Sequence, residues 1–380
     1  MKLLIALFAL CLTFGLTAQE NHKDYSFSKI YDLKTTPVKN QQSSGTCWSF
    51  ATVSFLETEI LRTKNIEIDL SEMFFVRMAY FTKAELYIRL HGNSNFSEGG
   101  QAHDVFNVLR KYGMVTEETY KGLCYGEEQH VHSELVDGLK GYISGVNKKS
   151  NGKLSTAWTA AVNGILDAYF CTVPKNFSYE GKTYKPTEFV GFSGINPDDY
   201  IEITSYSNEP FYKKIILRIP DNWSGDQYYN VPADDMMKII ENALKNGYSV
   251  CWDGDVSERS FCFSAGIAII PDDDWSDISR AEAAKKFESY NKEKAVTQEM
   301  RQLTFDNLTT TDDHLMHITG MYKDAKGVFY YKTKNSWSAE SNSQGGYLMM
   351  SDSYVRLKTT AILIHKKAVP EELAKKIGVN

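Results

Sequence analysis

From Cys47 onward, apolar residues recur at spacings of three and four through Phe50, Val53, Leu56 and Ile60. That period predicts a long helix over Cys47–Lys64 with one buried face. Upstream, Ser43, Ser44 and Gly45 break regular structure, so Cys47 falls in the first helical turn. Leu70-Ser71-Glu72 reads as a second helix start with Ser71 as cap, leading into an aromatic-rich helix that runs to about Leu90. Residues 92–100 read as a loop. Val105, Val108 and Leu109 mark a third amphipathic helix that ends near Gly113. Together these predict a mostly helical lobe over about 34–124.

The pattern then changes. Over about 125–232 it is mixed: residues 154–169 read as a helix, whereas 200–204 and 214–219 alternate as strands do. This stretch carries no catalytic signal and reads as a large insertion. Residues 236–244 form a helical pattern closed by Gly247. Beyond it, 248–252, 317–322, 327–333, 346–350 and 359–365 are short apolar or aromatic segments bounded by turns. They predict an antiparallel sheet curled into a barrel-like lobe over about 247–368. A polar, partly helical excursion at 272–311 interrupts it, and a short tail, 369–380, follows. The class is α+β.

The first residues follow another rule. Lys2, an apolar run over 3–16 and the small residues Thr17 and Ala18 describe a secretory signal peptide cleaved after Ala18, too short to span a membrane. Leu10 before Cys11 argues against a lipoprotein box. No later stretch approaches membrane length, so the expectation is an exported protein, periplasmic or secreted, without membrane insertion. A net charge of −6 over 380 residues gives no reason to expect a nucleic-acid partner. Beyond the leader, Cys47, Cys124, Cys171, Cys251 and Cys262 leave an odd count, hence at least one free thiol. Their spacing matches no metal site; Cys251 and Cys262 are candidates to pair across a hairpin.

The chemistry starts at Cys47. Unpaired N–H groups and the positive end of the helix dipole favour a thiolate there, the form that attacks carbonyl carbon. Gln41, six residues earlier, offers an amide donor suited to an oxyanion. Thiol catalysis also needs an imidazole and a group to orient it. Asp313-His314-Leu315-Met316-His317 supplies two histidines, and Lys334-Asn335-Ser336-Trp337 supplies an amide and a covering indole.

Taken in order, Pro37-Val38-Lys39-Asn40-Gln41, Gly45-Thr46-Cys47-Trp48-Ser49-Phe50, Asp313-His314 and Asn335-Ser336-Trp337 resemble the papain superfamily of cysteine peptidases. The resemblance implies a papain-like two-lobe fold, a helical lobe carrying Cys47 and a sheet lobe carrying His314 and Asn335, with Gln41 beside the thiol and no cofactor. His314, six residues before Gly320 as in the family, is the implied base. His317, at an odd offset, would face the other side of the strand. The long interval between Cys47 and His314, Ser97-Glu98-Gly99-Gly100-Gln101, and Val369-Pro370-Glu371-Glu372-Leu373 are similar to the bleomycin hydrolase and aminopeptidase C branch. That branch implies peptide substrates, Gly99, Gly100 and Trp337 lining the substrate cleft, a hexameric homo-oligomer, and N-terminal exopeptidase action. The chain stops soon after Pro370, so the branch's C-terminal arm is expected to be short. This favours endopeptidase or dipeptidyl cleavage as the second reading. A catalytically silent exported binding protein is the reading from another class.

Overall fold

The structure, a computed structural model, describes residues 25–148 and 152–379; the expected leader over 1–18 lies outside the described residues. Strand β1 (Phe27–Asp32) precedes helices α1 (Cys47–Lys64), α2 (Glu72–Arg89), α3 (Ala102–Tyr112), α4 (Ser133–Asn147) and α5 (Ala157–Phe170). A hairpin of β2 (Phe177–Tyr179) and β3 (Lys182–Tyr184) and the short α6 (Pro186–Ser193) follow. Then come β4 (Tyr200–Thr204), β5 (Lys213–Ile216), β6 (Gln227–Asn230), α7 (Ala233–Lys245), β7 (Val250–Gly254), β8 (Phe261–Cys262) and β9 (Ile267–Ala268). Helices α8 (Arg280–Lys286) and α9 (Gln298–Asp306) fill the polar excursion. The chain ends with β10 (His314–Asp324), β11 (Phe329–Lys334), β12 (Tyr347–Ser351), α10 (Asp352–Lys358), β13 (Thr359–His365) and α11 (Glu371–Ile377).

Helix α1 is buried on every side from Cys47 to Leu61, not on one face as its apolar period suggests. Its polar residues are tolerated because each finds a partner. Glu57 accepts from Thr36 Oγ1 at 2.5 Å and from the Leu70 N–H at 2.9 Å, and Ser54 meets His317 Nδ1 at 2.9 Å. The apolar ones, Phe50, Val53, Phe55, Leu56 and Ile60, join α2 to α5 in one core. Each large side chain buried there contributes roughly 1.5–3 kcal/mol.

The second core lies on the sheet, ordered β5-β6-β4-β13-β7-β10-β11-β12-β9-β8 with β1 paired to β10. Pairing is antiparallel except at β12–β9 and β4–β6, which are parallel. Strands β4 to β6, read from sequence as part of an insertion, extend this same sheet. On β10, Met316 and Ile318 enter the sheet core, while Leu315 packs against the helical core. This alternation lets one strand seal both lobes. The tail, including Leu373, Ile377 and Val379, packs into the sheet core.

One sequence expectation is corrected, and one helix went unread. Cys251 and Cys262 are unpaired; the disulfide joins Cys124 and Cys171 and ties α5 to the loop before α4. Helix α4 went unread because Gly138, Gly141 and Gly145 dilute its helical propensity. A Cβ on any of them would meet nothing within 4 Å, so they sit on an open face while Leu135, Val136, Leu139 and Ile143 bury the other.

Candidate active site

The N-terminus of α1 meets the start of β10. Cys47 is 8% exposed, and its sulfur faces the Leu315 backbone N–H, the residue next to His314. Among the described residues, no hydrogen bond joins the thiol to the His314 ring. The His314 ring sits 2.8 Å from Asn335 Oδ1 through Nε2. That Asn oxygen also accepts the Ser336 N–H at 2.7 Å, which fixes it as oxygen rather than nitrogen. Nε2 must therefore donate, leaving Nδ1 as the basic nitrogen of the neutral ring. Trp337 lies over the imidazole with centroids 4.8 Å apart, and the edges of Phe261 and Phe263 close around the indole.

Gln41 is held at both ends of its amide: Nε2 donates to the Ser44 carbonyl at 2.7 Å, and Oε1 accepts from Ser336 Oγ at 2.7 Å. One N–H of that amide remains unused by these bonds. The Gln41 backbone N–H donates to the Ser336 carbonyl at 2.8 Å, and Asn40 bridges to Trp337. The segment before Cys47 and the loop after Asn335 thus fix one another. His317 lies on the face opposite His314, fully buried against Ser54 and Phe55 of α1.

Burial dominates the titration of the pair. It pushes the Cys47 thiol up to about 12, aided by the negative charges of Asp253, Asp221 and Asp312 and opposed by the Leu315 N–H. It pulls the His314 imidazole down to about 4, against the Asn335 bond that favours its charged form. The helix terminus was expected to favour a thiolate at rest. Burial in this closed site works against that preference at both groups.

Gly99 and Gly100 pack against Asp221, Asp104 and Trp48, the residue after Cys47. A Cβ on Gly100 would stand 2.7 Å from Asp104 Oδ2 and 3.1 Å from the Trp48 ring. One on Gly99 would stand 1.9 Å from Asp221 Oδ2. Asp221 comes from the turn between β5 and β6, the stretch read from sequence as carrying no catalytic signal. Asp312 and Asp253, on the sheet-lobe wall, were missed as well. Asp312 directly precedes the Asp313-His314 pair, yet an isolated carboxylate in a polar run gives no periodic cue.

The chain matches the papain family of cysteine proteases over residues 25–248 and the Peptidase C1-like family over residues 167–379. It is 23% identical to mitochondrial cysteine proteinase 1 of Saccharomyces cerevisiae, across 92% of this chain and 79% of that protein. It is 21% identical to aminopeptidase G of Lactobacillus delbrueckii subsp. lactis and 23% to aminopeptidase C of Listeria monocytogenes, in each case across 90% of this chain and 83% of the relative. Among solved structures, PepW of Lactobacillus rhamnosis superposes with a TM-score of 0.73 at 21% identity, covering 92% of this chain and 84% of that one, which shows a common fold. With both lobes matched, the chain belongs to the papain superfamily, in the aminopeptidase C branch, and is a cysteine-type peptidase.

Proposed function

We propose that this peptidase is an exported aminopeptidase acting through Cys47, His314 and Asn335. Similarity to aminopeptidases C and G along nine-tenths of the chain carries the reading. His314 Nδ1 takes the Cys47 proton as sulfur adds to the scissile carbonyl. The oxyanion lies against the Cys47 backbone N–H and the free N–H of Gln41; each such donor stabilises the transition state by roughly 3 kcal/mol. The tetrahedral adduct collapses, the amine leaves with the proton from His314, and water releases the acyl group by the reverse path. Asn335 holds the ring, and Trp337 keeps water from that bond and borders the leaving side. Gly99 and Gly100 border the acyl side of the substrate, their missing Cβ atoms leaving room for Asp221, Asp104 and Trp48.

The Cys124–Cys171 bridge supports export, because disulfides persist in oxidising compartments. Among the described residues no helix is long and apolar enough to cross a membrane. Assembly as a hexamer belongs to the same reading and is checked by light scattering. The decisive assay compares a fluorogenic amino-acid amide with its N-acylated form. Hydrolysis of the free-amine substrate, abolished in Cys47→Ala with the fold intact, is the expected result. Preference for the acylated substrate would establish endopeptidase action, and turnover by Cys47→Ala would remove the assignment.

A further inference from the structure

The turn between β5 and β6 lies near Cys47 and meets residues of both lobes. On the helical-lobe side, Asn95 Nδ2 donates to the Pro220 carbonyl at 3.0 Å and to Asp221 Oδ1 at 3.1 Å. On the sheet-lobe side, the Asp221 backbone N–H faces the Asp312 carboxylate. One residue thus touches both walls. Its side-chain oxygens lie against Gly99.

Position along the cleft decides which end of a substrate meets this bar. The leaving amine must collect its proton from His314, so it departs on the side of His314 and Trp337. The acyl portion, with the substrate's N-terminus, is left toward Gly99 and Asp221. A chain running that way stops at Asp221.

The chemistry there is mostly anionic; the buried Lys83 ammonium, which donates to the Ser97 and Gly99 carbonyls, is a cation that acts on Asp221. Asp312 Oδ1 accepts from Gln101 Nε2 at 2.9 Å, while its buried Oδ2 makes no well-formed hydrogen bond and is left to the facing Asp221 N–H and Asp253 carboxyl. Asp253, 3% exposed, uses Oδ2 for Thr360 Oγ1 at 2.6 Å and leaves Oδ1 without a donor. The Asp253 and Asp312 carboxyls face one another, so they share a proton or answer to an outside cation. Among the described residues no three metal-ligating side chains converge. An alkylammonium group, with three donors and one charge, suits two carboxylates at the closed end of a groove.

Resting on the aminopeptidase reading, we propose that Asp221 and Asp312 bind the free α-ammonium group of the substrate's N-terminal residue, with Asp253 positioning Asp312, so that the β5–β6 turn makes this cleft an exopeptidase site. The tail over 369–379 has no part in this, since it packs on the sheet core.

Binding tests the idea apart from turnover. Cys47→Ala protein is titrated by calorimetry with a short alanyl peptide amide, its N-acetyl form, and an N-acetyl peptide beginning with lysine. The free-amine peptide should bind about 10-fold or more tighter than the acetylated one, the size of one charge-assisted hydrogen bond. Asp221→Asn and Asp312→Asn, added singly and checked for unchanged melting, should each cut that preference to about 3-fold or less, as expected when one charge of the pair is lost. Equal binding of the alanyl pair, or a preference kept in both variants, overturns the proposal. So does tight binding of the N-acetyl-lysyl peptide, which would assign the carboxylates to a side chain. Preferential hydrolysis of an N-acylated amide by the parent protein would sink the aminopeptidase reading instead, and the two failures are read in separate assays.

Discussion

The Asn335 carboxamide oxygen holds two donors at once, His314 Nε2 at 2.8 Å and the Ser336 N–H at 2.7 Å. The backbone donor cannot move without the loop, so the imidazole is aimed by main chain acting through one side chain. Buried under Trp337, that bond sets both the tautomer and the direction of Nδ1.

Asn335→Ala should therefore lower kcat on the order of 100-fold, the contribution expected of a well-placed acid–base group, and leave KM little changed. Steady-state kinetics on a free-amine aminoacyl amide measure this. A variant within threefold of the parent would mean that packing alone orients the ring.

The field at the sulfur gives a second expectation. Asp312, held up to about 7 by burial and by its neighbour Asp221, adds negative potential at Cys47 once it ionises. Asp312→Asn removes that charge, so the thiol should lose its proton more readily. Alkylation by iodoacetamide, a neutral reagent that reads thiolate directly, should speed up above pH 7 and shift its midpoint to lower pH. An unchanged pH profile would show that burial alone sets the thiol.

What was legible in the sequence was local. The spacing from Cys47 to Ile60 sets α1, and the register of His314 against His317 follows from the two-residue period of a strand. The segments bearing Cys47, His314, Asn335 and Gln41 announce themselves by residue type and order, and the fold brings them together. What escaped was set by distant pairing. Strands β4 to β6 join the main sheet through β13, more than a hundred residues later, and no local pattern specifies that edge. Asp221 reaches the cleft only because of this pairing. Helix α4 hid behind exposed glycines, and two cysteines far apart in sequence do not say which partners they choose.

The Cys124–Cys171 bridge closes a loop of 47 residues. In the chain-entropy picture such a loop contributes about 4 kcal/mol by restricting the unfolded chain. A Cys124→Ala/Cys171→Ala double variant should lose stability of that order in urea unfolding, with the slope of the transition little changed. Equal midpoints for the two proteins would show that the unfolded segment is already compact.

Buried histidines make the helical lobe sensitive to acid. His132 is 1% exposed, stacked edge-on against Phe170 with Nε2 lacking a partner, and burial together with the neighbouring His130 pulls it down to about 3. The folded-state value lies below the unfolded one, near 6.5, so the unfolded chain binds more protons in between. Stability from the neutral ring is then complete above pH 6.5 and drains away as pH falls toward 3. At pH 5 the loss is about 2 kcal/mol, from 1.36 kcal/mol per pH unit below 6.5. His132→Phe keeps an aromatic ring and removes the proton, so its stability relative to the parent should rise by that amount between pH 7.5 and pH 5. Buried carboxyls such as Glu293, raised to about 7, act with the opposite sign in both proteins and cancel in the difference. Urea midpoints at the two pH values decide it: parallel shifts in parent and variant would show that His132 takes up no proton on unfolding.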